Sequence, residues 1–178
     1  TINPDGIATL WPLDYLPSAK SNAKFVLALD RIQDPGNLGS LIRTALAAEI
    51  ECLWLSSGCD PLGTKVLRAS AGGILHLPFI RFGPSESEAI KQLAERLKLA
   101  SDLGYQILAS VVPDRKVLKP LLPYWEIDWE KPTVLMLGNE GAGLHQILLS
   151  HCSHCVTLPH SKKIESLNVA AAAVPLLL

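Results

Sequence analysis

No run of apolar residues in this chain approaches the 18 that a membrane-crossing helix needs; the nearest, 169–178, contains Pro175. Charge of one sign is also lacking. Lys and Arg number 16 against 17 Asp and Glu, a net charge of −1, so the chain as a whole has no electrostatic footprint for nucleic acid. Cysteine is scarce, with four residues at 52, 59, 152 and 155, mostly inside apolar segments. That spacing is not the staple framework of a small secreted domain, and a reducing, cytoplasmic compartment is expected. Targeting peptide, internal repeat and low-complexity tract are not visible, and the Gly-x-Gly-x-x-Gly dinucleotide fingerprint is missing. What is there is a 48% hydrophobic composition over 178 residues, enough for one sizeable core and incompatible with global disorder.

Short, continuous apolar runs alternate with helical periods. Strands are expected at 25–29, 51–55, 105–112, 133–137 and 155–158, with a further extended segment at 74–82. Helices are expected at 38–49, 64–70, 85–104, 143–150 and 166–174. In the first, Leu38, Leu41, Ile42, Ala45 and Leu46 share a face, which leaves Gly39, Ser40, Arg43 and Ala47 opposite. In the 85–104 helix, Ile90, Leu93, Leu97 and Leu99 to Ala100 recur at helical spacing and Gly104 supplies the stop. The proline-rich stretch 112–131 reads as a loop. Continuous rather than alternating apolar strands, interleaved with helices, imply an α/β domain whose mostly parallel sheet is flanked by helices.

In such sheets ligands bind beyond the carboxyl ends of the strands, and three segments lie there. The first runs from Asp30 through Gly36, Asn37 and Gly39 to Arg43, an arginine among small residues; a surface arginine on an amphipathic helix is the plain alternative. The second, Leu137-Gly-Asn-Glu-Gly-Ala-Gly143, has glycines that let a ligand approach main-chain groups, and Glu140 is its informative residue; the alternative is a solvated loop carboxylate. The third, Leu158-Pro-His-Ser-Lys-Lys-Ile-Glu-Ser-Leu-Asn168, offers Ser166 as N-cap of the following alanine-rich helix. Asn168 would then lie one step inside, where Asn is a poor helix former, so its placement suggests a bond that must be made. His151, Cys152, His154, Cys155 and His160 invite a metal reading, but Cys-x-x-Cys supplies only two ligands and Cys52 and Cys59 lie on another strand and its turn; no metal is expected.

Charge is unevenly spread. Residues 61–120 hold nine basic side chains against five acidic ones. Lys65 and Arg68, with Lys162 and Lys163 of the third segment, are the candidates for contact with an anionic partner. Lys91 and Lys98, interspersed with Glu on the 85–104 helix, read as a solvated face.

Together the three segments resemble the three motifs of the SpoU (TrmH-like) RNA 2′-O-ribose methyltransferases of the SPOUT superfamily. Asp34-Pro-Gly-Asn-Leu-Gly-Ser-Leu-Ile-Arg43 is similar to the first motif, 137–144 to the second, and Leu158-Pro159 with Glu165-Ser-Leu-Asn-Val169 to the third; Lys65-Val-Leu-Arg-Ala-Ser-Ala-Gly72 is similar to a further signature. The pattern departs from the family at His160, usually Met, at Lys162, usually Gly, and at Pro175 in the closing helix. A separate N-terminal RNA-binding domain, carried by many members, is not within these 178 residues.

The resemblance implies a deep C-terminal trefoil knot, a homodimer, tRNA or rRNA as substrate, and S-adenosylmethionine as cofactor. It places the cofactor against Met136, Leu137, Gly138, Asn139, Gly141, Leu158, Pro159, His160, Ser166 and Leu167. It makes Arg43, Asn37, Glu140, Ser166 and Asn168 the catalytic set, with Arg43 as phosphate clamp or base and Glu140 as the fallback base. A guanidinium pKa above about 12 favours an electrostatic role for Arg43. Residues 1–24 are expected to be an extension or linker remnant and 25–178 the methyltransferase domain. The competing readings are a non-catalytic RNA-binding or dimerisation module on the same fold and another nucleotide-binding α/β enzyme. Neither a membrane partner nor a metal is expected.

Overall fold

A computed structural model describes residue 10 and residues 12–20, 22–112, 119–161 and 163–178. Lys162 lies outside the described residues, as do Asp114, Arg115 and Lys116 of the basic stretch. Among the described residues seven strands form one sheet: β1 (Phe25–Leu29), β2 (Cys52–Leu55), β3 (Phe79–Arg81), β4 (Gln106–Ser110), β5 (Leu121–Pro123), β6 (Thr133–Leu137) and β7 (His154–Thr157). Their order is β3-β2-β1-β6-β4-β7-β5, and every pairing is parallel. The central strands are apolar at nearly every position because both faces are covered. Leu27 and Leu135 pack on one side with α1 (Pro35–Ala47), α2 (Thr64–Ala69) and α5 (Val169–Leu177). Val26, Ala28, Val134 and Met136 pack on the other with α3 (Glu86–Asp102) and α4 (Gln146–Ser150).

Local chemistry sets the helix limits. α1 starts three residues before its apolar period, because the Asp34 side chain accepts from Asn37 N at 2.8 Å and Pro35 occupies the first turn, where its missing N–H costs nothing. Gly39 is buried, not free for a ligand: a Cβ there would collide with Ala69 Cβ and would stand 2.7 Å from the Ala69 carbonyl carbon. The small residue is there to let α1 and α2 touch. In α3, Ser85 caps the start and Gly104, at φ +88°, ends the turn, but Leu99 points outward at 54% exposure, off the buried stripe.

Four expectations need correction. The 74–82 segment is not extended throughout: Gly73–Leu75 form a short 3-10 turn after Gly72 at φ +77°, and β3 begins only at Phe79. The 112–131 stretch hides β5, a three-residue edge strand too short and too rich in proline to carry a period. α4 begins at Gln146 rather than 143, because the glycine loop must close first and His145 Nδ1 then caps Ile147 N. The cap of α5 is Asn168, not Ser166: Asn168 Oδ1 accepts from Ala170 N at 2.9 Å and Ala171 N at 3.2 Å. Pro175 cannot donate to the Ala171 carbonyl, and both residues are exposed, where water can serve that oxygen. No helix among the described residues is long and apolar enough to cross a membrane.

Candidate active site

Strand order brings the three loops together. β1 and β6 are neighbours, so the turn after Leu29 and the glycine loop after Leu137 meet at the same sheet end; β7 delivers the third segment two strands away. Between β6 and β7 stands β4, whose carboxyl end must line whatever lies between them. An open cleft lies there. Leu137, Gly138, Asn139, Gly141, Leu158, His160, Ser166 and Leu167 line it, as does Glu140. Two of the residues expected in it do not. Met136 is 1% exposed and faces α3 and α4, because alternation along β6 turns it away from the cleft, and Pro159 is exposed beside it. Gly143, in the glycine segment read from the sequence, lines it as well; sequence reasoning missed Ser110, Val111 and Val112 at the end of β4, and Ala172 of α5. No local signal marks them, since β4 comes between β6 and β7 only through sheet order.

A single chain of hydrogen bonds, starting at Glu140 of the cleft lining, joins the three segments. Glu140 accepts from Gln33 N at 3.3 Å, from Asp34 N at 3.2 Å and from Asn37 Nδ2 at 3.0 Å. Asn37 Oδ1 accepts from Asn168 Nδ2 at 2.9 Å, and Asn168 Oδ1 faces the first N–H groups of α5. The direction of both amides is forced. A carboxylate only accepts, so Asn37 turns its NH2 to it; that leaves its oxygen for the NH2 of Asn168, whose own oxygen must serve the helix. Asn168 therefore makes the bond its sequence context suggested, but as a cap rather than from inside the helix.

Partial burial alone would push the Glu140 carboxyl up. The donors, Asn37 first and then the backbone N–H groups of Glu140, Asp34 and Gln33, outweigh it and hold the group below the usual glutamate range. A carboxylate so engaged is a weak proton acceptor, which removes the reason to treat it as a fallback base.

Asn139 uses both ends of its amide within the loops: Nδ2 donates to Arg31 O at 2.9 Å, and Oδ1 accepts from Gly141 N at 3.0 Å and Ala142 N at 2.8 Å. Gly138 is needed for loop closure, because a Cβ there would collide with Leu144 N and with the carbonyl carbon of Gly143. His160 Nδ1 donates to Leu158 O at 2.8 Å, which leaves Nε2 free beside the cleft. Ser166 lines the cleft from the exposed 159–167 loop.

Arg43 does not join the hydrogen-bond chain. It is exposed on α1 and has no hydrogen-bond or ion-pair partner among the described residues. Gly39 packs on Ala69 and Ser70 one turn earlier on the same flank, so α2, with exposed Lys65 and Arg68, lies along the side of α1 that carries Arg43. Lys163 is exposed in the third segment. Among the described residues no three His, Cys, Asp or Glu gather as metal ligands. Cys152 and Cys155 are buried with their Sγ atoms 3.9 Å apart, and burial pushes the Cys152 thiol up to about 12.

The model of the SpoU rRNA methylase family matches residues 24–177. The chain belongs to this family. It is 40% identical over 174 residues to a protein of Synechocystis described as an uncharacterized tRNA/rRNA methyltransferase, covering 97% of this chain and 58% of the relative. It is 36% identical over 162 residues to RlmP of Bacillus subtilis, a 23S rRNA (guanosine-2′-O)-methyltransferase, covering 89% and 59%. Among solved structures, the SpoU methyltransferase AviRb of Streptomyces viridochromogenes in complex with AdoMet superposes with a TM-score of 0.71 at 29% identity, covering 93% of this chain and 62% of that one. An AdoMet-bound rRNA methyltransferase of Sinorhizobium meliloti gives 0.72 at 30% identity, covering 90% and 56%. The chain thus spans less than two thirds of the length of each of these relatives.

The engaged carboxylate makes a testable demand on pH. A carboxyl held below its unfolded value near 4.3 stabilises the fold above that pH, and the contribution is lost as pH falls through the lower, folded value. Glu140→Gln should lower the melting temperature at pH 7 by about 2–4 °C, a figure discounted for solvent screening. The gap to wild type should be smaller at about pH 3.5, below the unfolded value. Thermal unfolding at both pH values checks this, and a gap independent of pH would show that the charge on Glu140 does not matter.

Proposed function

We propose that this chain is the catalytic domain of an S-adenosylmethionine-dependent RNA 2′-O-ribose methyltransferase acting on tRNA or rRNA. The observation that carries the reading is the Glu140–Asn37–Asn168 chain, which joins the family's three motifs beside the cleft that Glu140 lines. The cleft suits the cofactor. Leu137, Leu158, Leu167 and Val169 supply apolar walls, loop peptides at 137–141 and 158–160 supply polar main-chain groups, and Glu140, the one carboxylate among the lining residues, suits a cationic donor. S-adenosylmethionine, when bound, supplies an electrophilic methyl group on a sulfonium. The protein's part is alignment: Asn37, Glu140 and Asn168 hold the three loops in one geometry and Ser166 lies on the cleft wall for a ribose contact. Arg43 acts as a cation for an RNA phosphate and for the negative charge that develops on the 2′-oxygen. A reducing, cytoplasmic setting suits the four free thiols. We assign 25–178 to the methyltransferase domain and 1–24 to an extension or linker remnant. The trefoil knot is part of the same reading, supported by the return of α5 from β7 to pack on α1, across the sheet.

Calorimetry with S-adenosylmethionine, followed by methyl transfer to RNA, tests the assignment. Wild type should bind the cofactor, and Arg43→Ala should bind it equally well while losing at least about a hundredfold in transfer. Arg43→Lys should be nearly as damaged if the contact is bidentate. RNA binding without cofactor binding would favour a non-catalytic module, and wild-type turnover in Arg43→Ala would remove that residue from the chemistry.

The RNA path follows the side of the sheet that carries α1. Lys65 and Arg68 sit on α2 there, whereas Lys91 and Lys98 are on α3, across the sheet; Lys163 is exposed in the third segment. Neutralising Lys65 and Arg68 should weaken RNA binding and flatten the log–log salt slope by about 0.7–0.9 for each phosphate no longer neutralised. Neutralising Lys91 and Lys98 should leave both near wild type; the reverse pattern would move the RNA to the other side.

The protein is a homodimer in this reading. α5 turns Ala171, Val174, Pro175 and Leu178 outward, with Val174 43% and Leu178 73% exposed, and a second copy covers this face beside α1. Light scattering at micromolar concentration should give twice the monomer mass, and Val174→Glu should shift it toward the monomer. A monomeric wild type would overturn this.

A further inference from the structure

Asp30 and Arg31 open the first segment but precede the family's first motif and do not line the cleft, yet they form a densely hydrogen-bonded cluster near the site. Asp30 closes β1 and is 1% exposed. Each of its carboxylate oxygens accepts two hydrogen bonds. Oδ1 takes Arg31 Nε at 3.1 Å and Ser56 Oγ at 3.0 Å; Oδ2 takes Arg31 Nη2 at 3.0 Å and His145 N at 2.8 Å. Arg31 Nη2 also donates to Gly143 O at 3.0 Å, and Nη1 lies 3.9 Å from Glu86 of α3.

For adjacent residues to make a forked ion pair, the chain must bend back on itself, and Arg31 does so at φ 54°, a left-handed value that a side chain disfavours. The backbone there is held from three sides. Arg31 N donates to Ser56 Oγ at 3.0 Å, Arg31 O accepts from Asn139 Nδ2 at 2.9 Å, and Asp30 N donates to Leu137 O at 2.9 Å. A strained residue so over-determined is a sign of position being enforced.

We propose that Asp30 and Arg31 are positioning residues: together they clamp residues 143–145 to the end of β1, and so fix the glycine loop that forms the cleft wall and presents Glu140 to Asn37. This rests on the reading of the cleft as the cofactor site. The clamp grips the far end of the loop through Gly143 and His145, while Glu140 and Asn139 bind its near half to the turn after β1. Without the clamp, the loop keeps its near-half bonds but loses its fixed exit, and the main-chain groups that line the cleft are no longer preorganised. Neither residue lines the cleft itself, so each acts through the loop.

Arg31→Gly is the decisive variant, because glycine adopts φ 54° without strain and the Arg31 bonds to Asp30 and Gly143 are removed while Asp30 keeps those from Ser56 and His145. Arg31→Lys keeps the charge but cannot span both Asp30 and Gly143 with a rigid fork. Three quantities are to be measured on the full chain: S-adenosylmethionine affinity by calorimetry, melting temperature, and amide hydrogen exchange across 138–145 and, as control, across α3. In Arg31→Gly, exchange in the loop should accelerate and cofactor affinity should fall, each by about tenfold, with α3 amides unchanged; Arg31→Lys should fall between. Faster loop exchange with unchanged affinity would overturn the positioning role, and unchanged loop exchange would overturn the clamp. If wild type binds no cofactor, the reading of the cleft fails, and loop exchange still decides whether the clamp exists.

Discussion

The hydrogen-bond chain from Glu140 through Asn37 to Asn168 is the constraint on which the rest of the site depends. It spans 131 residues of sequence between its amides and has no freedom of direction, since a carboxylate terminates one end and helix N–H groups terminate the other. Each member also does local work. Asp34 caps α1 and so brings Asn37 to the first turn; Asn168 caps α5; Glu140 gathers the two N–H groups of the turn after β1. Helix capping and loop docking are therefore one network, and a change at any member is felt by two helices and a loop.

The network can form only because of the sheet. Placing β6 between β1 and β4 sets the glycine loop beside the turn that opens α1, and placing β4 between β6 and β7 leaves a gap that the third segment and α5 close. This is the crevice that parallel sheets offer wherever the strand order reverses. The glycines within it answer to packing before they answer to a ligand. Gly39 lets α1 and α2 touch, and Gly138 lets the loop cross its own chain at 143–144. Their loss would disturb the walls of the cleft rather than fill it.

Electrostatics separates roles that residue type alone would merge. Glu140 is occupied by donors from two loops; Asp30 is buried and shared by four donors; Arg43 is exposed and unpaired among the described residues, which is why it is proposed to meet the anionic substrate. Two arginines twelve residues apart thus divide into one committed to the fold and one open to solvent.

Composition and periodicity were enough for the α/β class, for β1, β2, β4, β6 and β7 with α1 and α3 to within a few residues, and for the three loops that meet at the site. These are local properties: apolar runs, capping residues and glycine turns act over a handful of neighbours. Residues with no local signature were decided only by tertiary structure. Ser110 to Val112 enter the cleft through strand order, Met136 leaves it through the alternation of β6, Ser166 yields the cap of α5 to Asn168 because Asn37 needs a donor there, and Asp30 finds its partners 26 and 115 residues away. Residue type limits which groups can bond; which of them do is settled by the sheet order that brings them within hydrogen-bond reach.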